Sequence, residues 1–206
     1  MYSGLKPARI DISTFYMNDD FTGNTVESSV WSLTTAGSGS SIVKQSALGG
    51  QIRLTSGAAS GREAQITHGA VRNFALAKNP IMRGRIRLNT LTNVLFNFGF
   101  IDTATYANWA LIALDTDVSS NWRTRTRLDP NSTSTDTGVA GSSGWLEMEI
   151  YGFSSEVIFV LGGAVIAVHT TNLPTVNMTP YIYIQSLNSS THTVDVDWLE
   201  LLGVRA

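Results

Sequence analysis

The sequence predicts an all-β fold, built as a two-sheet antiparallel β-sandwich. Three observations carry this prediction. The stretch 144–202 contains alternating and β-branched runs and no helical period. Within it, the β-rich runs 156–161 and 164–169 are separated only by Gly162-Gly163, which suits a tight hairpin because both central turn residues need positive φ. Short strand-like segments also recur along the whole chain with turn residues between them, the spacing of a sandwich.

From the N-terminus, 1–18 shows no clear period and mixes Gly4 and Pro7 with the apolar Ile10, Ile12, Phe15 and Tyr16. This segment is read as an N-terminal arm, which either adds a strand to its own sheet or grips another subunit. One undivided domain is set at 19–206. A Gly/Ser tract at 36–41 reads as a loop. Strands are expected at 42–45, 51–55 and 62–67, separated by Gly49-Gly50 and by the 56–60 segment. Then Met82, Gly84, Ile86 and Leu88 alternate with Arg83, Arg85 and Arg87. Val94, Phe96, Phe98 and Phe100 form a second ladder, and 107–114 is a third strand. Trp122, Thr124, Thr126 and Leu128 alternate with Arg123, Arg125 and Arg127. The stretch 129–144 reads as a long polar loop and 170–180 as an irregular connection. Strands at 145–151 and 181–185, and a closing one at 191–202, complete the series.

Length and composition narrow the function. At 206 residues the chain is one generous domain. It has no cysteine, so disulfides and thiolate metal sites are excluded. Only 15% of residues are charged and the formal net charge is -2, which is not the basic footprint of a nucleic-acid binder. No run approaches a membrane span, and no apolar run follows Lys6 and Arg9, so neither membrane insertion nor a secretory signal is expected. Serine and threonine supply roughly a fifth of the chain, well above their usual share. Such a surface fits extracellular or virion proteins better than a cytosolic enzyme.

Several landmarks fall in a familiar order: Asp20-Phe21 with Trp31 ten positions on, Phe98-Gly99-Phe100-Ile101-Asp102, Gly144-Trp145-Leu146-Glu147, the hairpin 157–163, Asn172-Leu173-Pro174, and Val194-Asp195-Val196-Asp197-Trp198. This order resembles the concanavalin A-like (lectin/glucanase, laminin G-like) jelly roll, in the form found in bacteriophage virion proteins. The resemblance implies a jelly-roll β-sandwich and three kinds of role: sugar-binding module, glycan hydrolase, or virion part with no chemistry. Fold alone does not choose among them.

The residues bear on that choice. Hydrolysis needs two carboxylates flanking a glycosidic bond. Glu147 and Glu149 share a strand face, but the hydrolase pattern resembles Glu-x-Asp-x-Glu or Glu-x-Asp-x-x-Glu, and here the third carboxylate is missing. No catalytic residue is therefore assigned. Asp195 and Asp197 share a face and suit one Ca²⁺, provided other oxygens complete its shell; no other cofactor is expected. Trp109 and Trp122 bracket the 115–121 loop and are the candidate glycan contacts. The ladders Arg83, Arg85, Arg87 and Arg123, Arg125, Arg127 either pair across strands with Glu147, Glu149 or Asp115, or face a subunit interface together with Ile10, Ile12, Phe15 and Tyr16. His68, His169 and His192 read as surface or packing residues.

The expectation is a non-enzymatic virion structural protein on the phage particle surface, most concretely a capsid decoration or cement protein bridging capsomers. Its partners would be the major capsid protein or another virion protein, with assembly as a homo-oligomer, a trimer suiting threefold sites. No nucleic acid and no membrane are expected as partners. The alternative is a carbohydrate-binding, lectin-like module of a tail fibre or spike that recognises a host surface glycan.

Overall fold

The computed structural model describes residues 14–23, 25–45, 50–69 and 74–204. The strands are β1 (Thr14–Asp19), β2 (Ser32–Ala36), β3 (Ser41–Gln45), β4 (Gln51–Thr55), β5 (Glu63–Thr67), β6 (Ile81–Leu88), β7 (Val94–Ile101) and β8 (Trp109–Asp115). They continue with β9 (Asn121–Leu128), β10 (Asn131–Ala140), β11 (Leu146–Gly152), β12 (Val157–Leu161), β13 (Ala164–His169), β14 (Thr179–Ser186) and β15 (Thr193–Val204). A single 3-10 turn, Leu76–Lys78, is the only helical piece among the described residues.

Two antiparallel sheets form the sandwich. The first runs β13-β12-β11-β6-β15-β4-β3, with β1 also paired to β15; the second runs β10-β9-β8-β7-β14-β5-β2. β6 and β9 bury alternate residues, as the sequence predicts, whereas β7, β8 and β14 bury nearly every residue. Met82, Ile86 and Leu88 of β6 face Phe96, Phe98 and Phe100 of β7 across one continuous core. Burying each such large apolar side chain stabilises the fold by about 1.5–3 kcal/mol. At the Gly162-Gly163 turn, φ is +57° and +80°, the left-handed pair the two-residue hairpin requires.

Two departures from the sequence reading have clear causes, and the N-terminal segment takes one of its two expected forms. The stretch expected to be a long loop after Asp129 contains β10, which pairs with β9 from Asn131↔Leu128 to Asp136↔Arg123. β10 lies at a sheet edge and is polar on both faces, so it carries no hydrophobic period; only its threonines hinted at a strand. β2 was hidden in the same way, since all five of its residues are exposed. In the N-terminal segment, 14–19 is a strand on its own sheet, pairing from Thr14↔Val204 to Asp19↔Leu199. Phe15 packs against the core and makes edge contacts with His68 and Phe74 at 5.5 and 5.6 Å, whereas Tyr16 points to solvent. Ile10 and Ile12 lie outside the described residues.

β15 carries the feature that shapes one surface. Its register against β6 shifts between Val196↔Ile86 and Trp198↔Arg85, leaving Asp197 as an extra, bulged residue. Strict alternation would point Trp198 inward after Val194 and Val196. The bulge instead turns Leu199 and Leu201 into the core and leaves Trp198 on the outward side. Gly84 makes room for this, because a Cβ there would lie 2.7 Å from Leu199 Cδ2 and 3.1 Å from Phe98.

Candidate functional site

The outward faces of the two sheets carry the two arginine ladders singled out by sequence, one on each. On the first sheet, β6 is flanked by β11 and β15, both of which present acids outward. Arg83 Nε lies 2.9 Å from Glu149 Oε2, and its Nη1 lies 3.1 Å from Glu200 Oε2. Its Nη2 donates to Tyr151 Oη at 2.8 Å, and that hydroxyl donates to Glu149 Oε2 at 2.5 Å. Arg85 Nη1 reaches Asp197 Oδ2 at 2.7 Å, and Gln51 Nε2 donates to the other oxygen of Asp197 at 3.5 Å.

Asp195 is fully buried beneath two guanidiniums. Arg53 Nε donates to its Oδ1 at 2.6 Å, while Arg53 Nη2 and Arg87 Nη2 donate to Oδ2 at 2.9 and 2.7 Å. Burial alone would raise the pKa of this carboxyl; the arginine hydrogen bonds outweigh burial and hold it below its ordinary value. Arg85 and Arg87 then stack over Trp145, at 5.0 and 4.8 Å from the ring centre.

This geometry bears on the Ca²⁺ expectation. Asp195 and Asp197 do lie on one face, but both already accept from arginines, whose charge repels the cation they were expected to hold. Among the described residues no cluster of three His, Cys, Asp or Glu side chains has the arrangement of a metal site. Glu147 and Glu149 likewise share a face, with Glu149 tied to Arg83 and Tyr151 and Glu147 exposed in register with Arg85.

Beside this network lie two cavities, of about 450 and about 420 Å³, that share Trp198 and Glu200 as walls. Asn18 and Asp20 complete the first; Arg83, Glu147, Glu149 and Tyr151 complete the second. An aromatic face beside planar hydrogen-bonding groups is chemistry that suits a sugar. Sequence reading chose Trp109 and Trp122 as glycan contacts rather than Trp198, and nothing local announces the bulge that turns Trp198 outward.

The second sheet places the other candidates differently. Trp122 is only 1% exposed and packs edge-on to Phe96 in the core, so it is closed to a glycan. Trp109 faces outward, on the opposite side of the same sheet. It pairs with Arg127, at the end of the β8–β9 hairpin remote from the 115–121 turn, so the two tryptophans do not form one platform. Arg125 and Arg127 cover its ring at 5.6 and 4.7 Å. Next to it, Ile101, Leu111, Tyr181 and Tyr183 form a small second cluster on this outward face, where Tyr183 Oη donates to Glu63 at 2.6 Å.

The histidines are not surface residues. His169 is buried between the sheets, within 3.0 Å of the Thr124 and Thr126 hydroxyls and 3.1 Å of that of Thr135; burial lowers its pKa. His192 sits beside Thr90 at 2.7 Å, and His68 fills an aromatic cluster with Phe15, Trp31 and Phe74.

Together these features define a concanavalin A-like jelly-roll β-sandwich whose surface is dressed with arginine–carboxylate networks. Solved structures agree on the fold. A β-1,3-glucanase from Mycobacterium marinum superposes with a TM-score of 0.69 at 12% identity, over 90% of this chain and 97% of that one. An immunostimulatory antigen described as a pseudo β-1,3-glucanase, from Mycobacterium tuberculosis, gives 0.69 at 11% identity over 92% and 98%. A protein of unknown function from Shewanella oneidensis gives 0.67 at 11% over 100% and 97%. No protein-family model matches the sequence, and no curated protein matches it. At such identities the likeness concerns the fold.

Proposed function

We propose that the chain is a non-enzymatic structural protein of the virion, a phage capsid decoration or cement protein that docks on other proteins as a homo-oligomer, with trimers at threefold sites. The observation that carries the non-enzymatic part is the state of the carboxylate pair on β11, the strand that resembles the hydrolase pattern. Glu149 is engaged by Arg83 and Tyr151, Glu147 stands in solvent, and no third acid follows on the strand. Docking is supported by β13, an edge strand whose Val165 and Val168 are 62% and 48% exposed with no charged neighbour on the strand. Placement in a phage particle rests on the sequence resemblance. The test is to mix the purified protein with capsids that lack it and image the particles by cryo-electron microscopy. Ordered density at lattice positions is expected; a bare shell would overturn the reading.

One observation favours the second reading, a glycan-binding module. Trp198 is turned outward by a bulge between two cavities lined by carboxylates, an asparagine and an arginine. On a glycan array this reading expects binding that Trp198→Ala abolishes and Trp122→Phe, a change confined to the core, leaves intact.

A further inference from the structure

The arginines of β9 have no counterpart to the acids that neutralise β6. Their cross-strand neighbours on β8 are Ala113, Leu111 and Trp109, and on β10 Asp136, Ser134 and Ser132. Among the described residues, no carboxylate lies within ion-pair distance of Arg123 or Arg125. Arg127 pairs with Asp129, an exposed residue in the adjoining turn. Asp136, the nearest acid to Arg123, already accepts from Ser119, Asn121 and the Gly138 amide at 2.6, 2.9 and 2.9 Å. Glu63 is taken by Tyr183. Asp115 attracts Arg125 from the end of β8, while Arg123 and Arg127 repel it and burial disfavours its charge.

Three like charges therefore stand at alternate positions, about 7 Å apart along the strand, all half-buried, with Arg125 and Arg127 against the Trp109 indole and Arg123 donating to Ser134 Oγ at 3.0 Å. The buried polar atoms left without partners here are mostly donors: Trp109 Nε1, Arg123 Nε and Arg127 Nε, together with the Asn97 oxygen on a side chain only 8% exposed. Unpaired buried donors cost stability unless something supplies acceptors.

We infer that the outward face of the second sheet around Trp109, Arg123, Arg125 and Arg127 is a docking surface for an acidic surface of a partner protein. Carboxylates would supply acceptors to all three guanidiniums, and a fork-shaped guanidinium takes a carboxylate through two parallel bonds. Arginine, tryptophan and tyrosine are also the residues that dominate protein interfaces; Tyr106, 47% exposed, stands beside Tyr181 at the margin of this face. The two cavities that suit a small ligand lie on the other sheet. This deepens the docking reading by naming its face and the partner's chemistry, and rests on that reading only for the existence of a protein partner.

The probe is poly-L-glutamate, titrated at low salt and followed by calorimetry, with heparin and neutral dextran in parallel. The wild-type chain is expected to bind poly-L-glutamate, more weakly as salt rises. Arg123→Glu/Arg127→Glu is expected to weaken binding at least tenfold, while Lys44→Glu, on the first sheet, leaves it unchanged. Circular dichroism checks folding, and Arg123→Gln/Arg127→Gln serves if the charge reversal unfolds. No binding, or equal binding by the double variant, overturns the inference. Binding confined to heparin with the same sensitivity also overturns it, by assigning the face to a sulfated glycan. None of these outcomes touches the particle-imaging test, so the two readings fail separately.

Discussion

Arg83, Arg85 and Arg87 on β6, and Arg123, Arg125 and Arg127 on β9, occupy alternate positions of two eight-residue strands, each ladder on the outward face of its sheet. On β6 every guanidinium meets a carboxylate: Glu149 and Glu200, Asp197, and Asp195. On β9, among the described residues, Arg127 alone does, at an exposed turn. The strands themselves are nearly interchangeable in pattern. What differs is their neighbours, because β11 and β15 bring acids outward where β8 brings leucine, alanine and tryptophan. A ladder of charge is thus structural or available according to what the adjacent strands place beside it.

The comparison breaks first at Asp195. Asp195→Asn removes a buried charge that two arginines require, and truncating one side of a buried pair costs several kcal/mol. Both guanidiniums are about a third exposed, which screens part of this, so a loss of about 2 kcal/mol in urea denaturation is expected. The same group sets an acid limb. Its folded pKa lies below the ordinary 3.8, so its contribution is complete above pH 3.8 and is lost as pH falls through the lower folded value. Wild type should therefore lose stability in that window and Asp195→Asn should not lose this component. Equal stability and equal acid limbs for the two proteins would show that the β6 network is ornament on the surface.

Much of this was legible beforehand, and the limits are physical. Alternation exposed β6 and β9 because each has one buried face, the phenylalanine ladder marked β7, which is buried on both, and two consecutive glycines announced the β12–β13 turn. Cross-strand pairing of Arg83 with Glu149 was also within reach, since both ladders of alternation were visible. β10 and β2 were not, because an exposed polar edge buries too little to impose a period. The outward turn of Trp198 was not legible: one extra residue reverses every later side chain, and a bulge has no local signature in Asp197-Trp198. Trp109 and Trp122 were grouped by their nearness in sequence, but they emerge on opposite faces of one sheet. Which acid reaches which arginine depends on strands distant in the chain, as with Arg53 and Asp195.

The smallest expected effect, and the sharpest contrast, is Arg125→Gln. Arg125 opposes Leu111 and Ser134, and both burial and its arginine neighbours disfavour its charge, with Asp115 only partly compensating. Removing that charge deletes a desolvation cost together with a like-charge repulsion, against the loss of contact with Trp109 at 5.6 Å. These oppose one another, so stability should stay within about 0.5 kcal/mol of wild type or rise slightly. Measured beside Asp195→Asn in the same urea series, the two changes should differ several-fold in cost. A loss at Arg125 as large as that at Asp195 would make the β9 ladder structural too, and would remove the energetic reason for assigning its face to a partner.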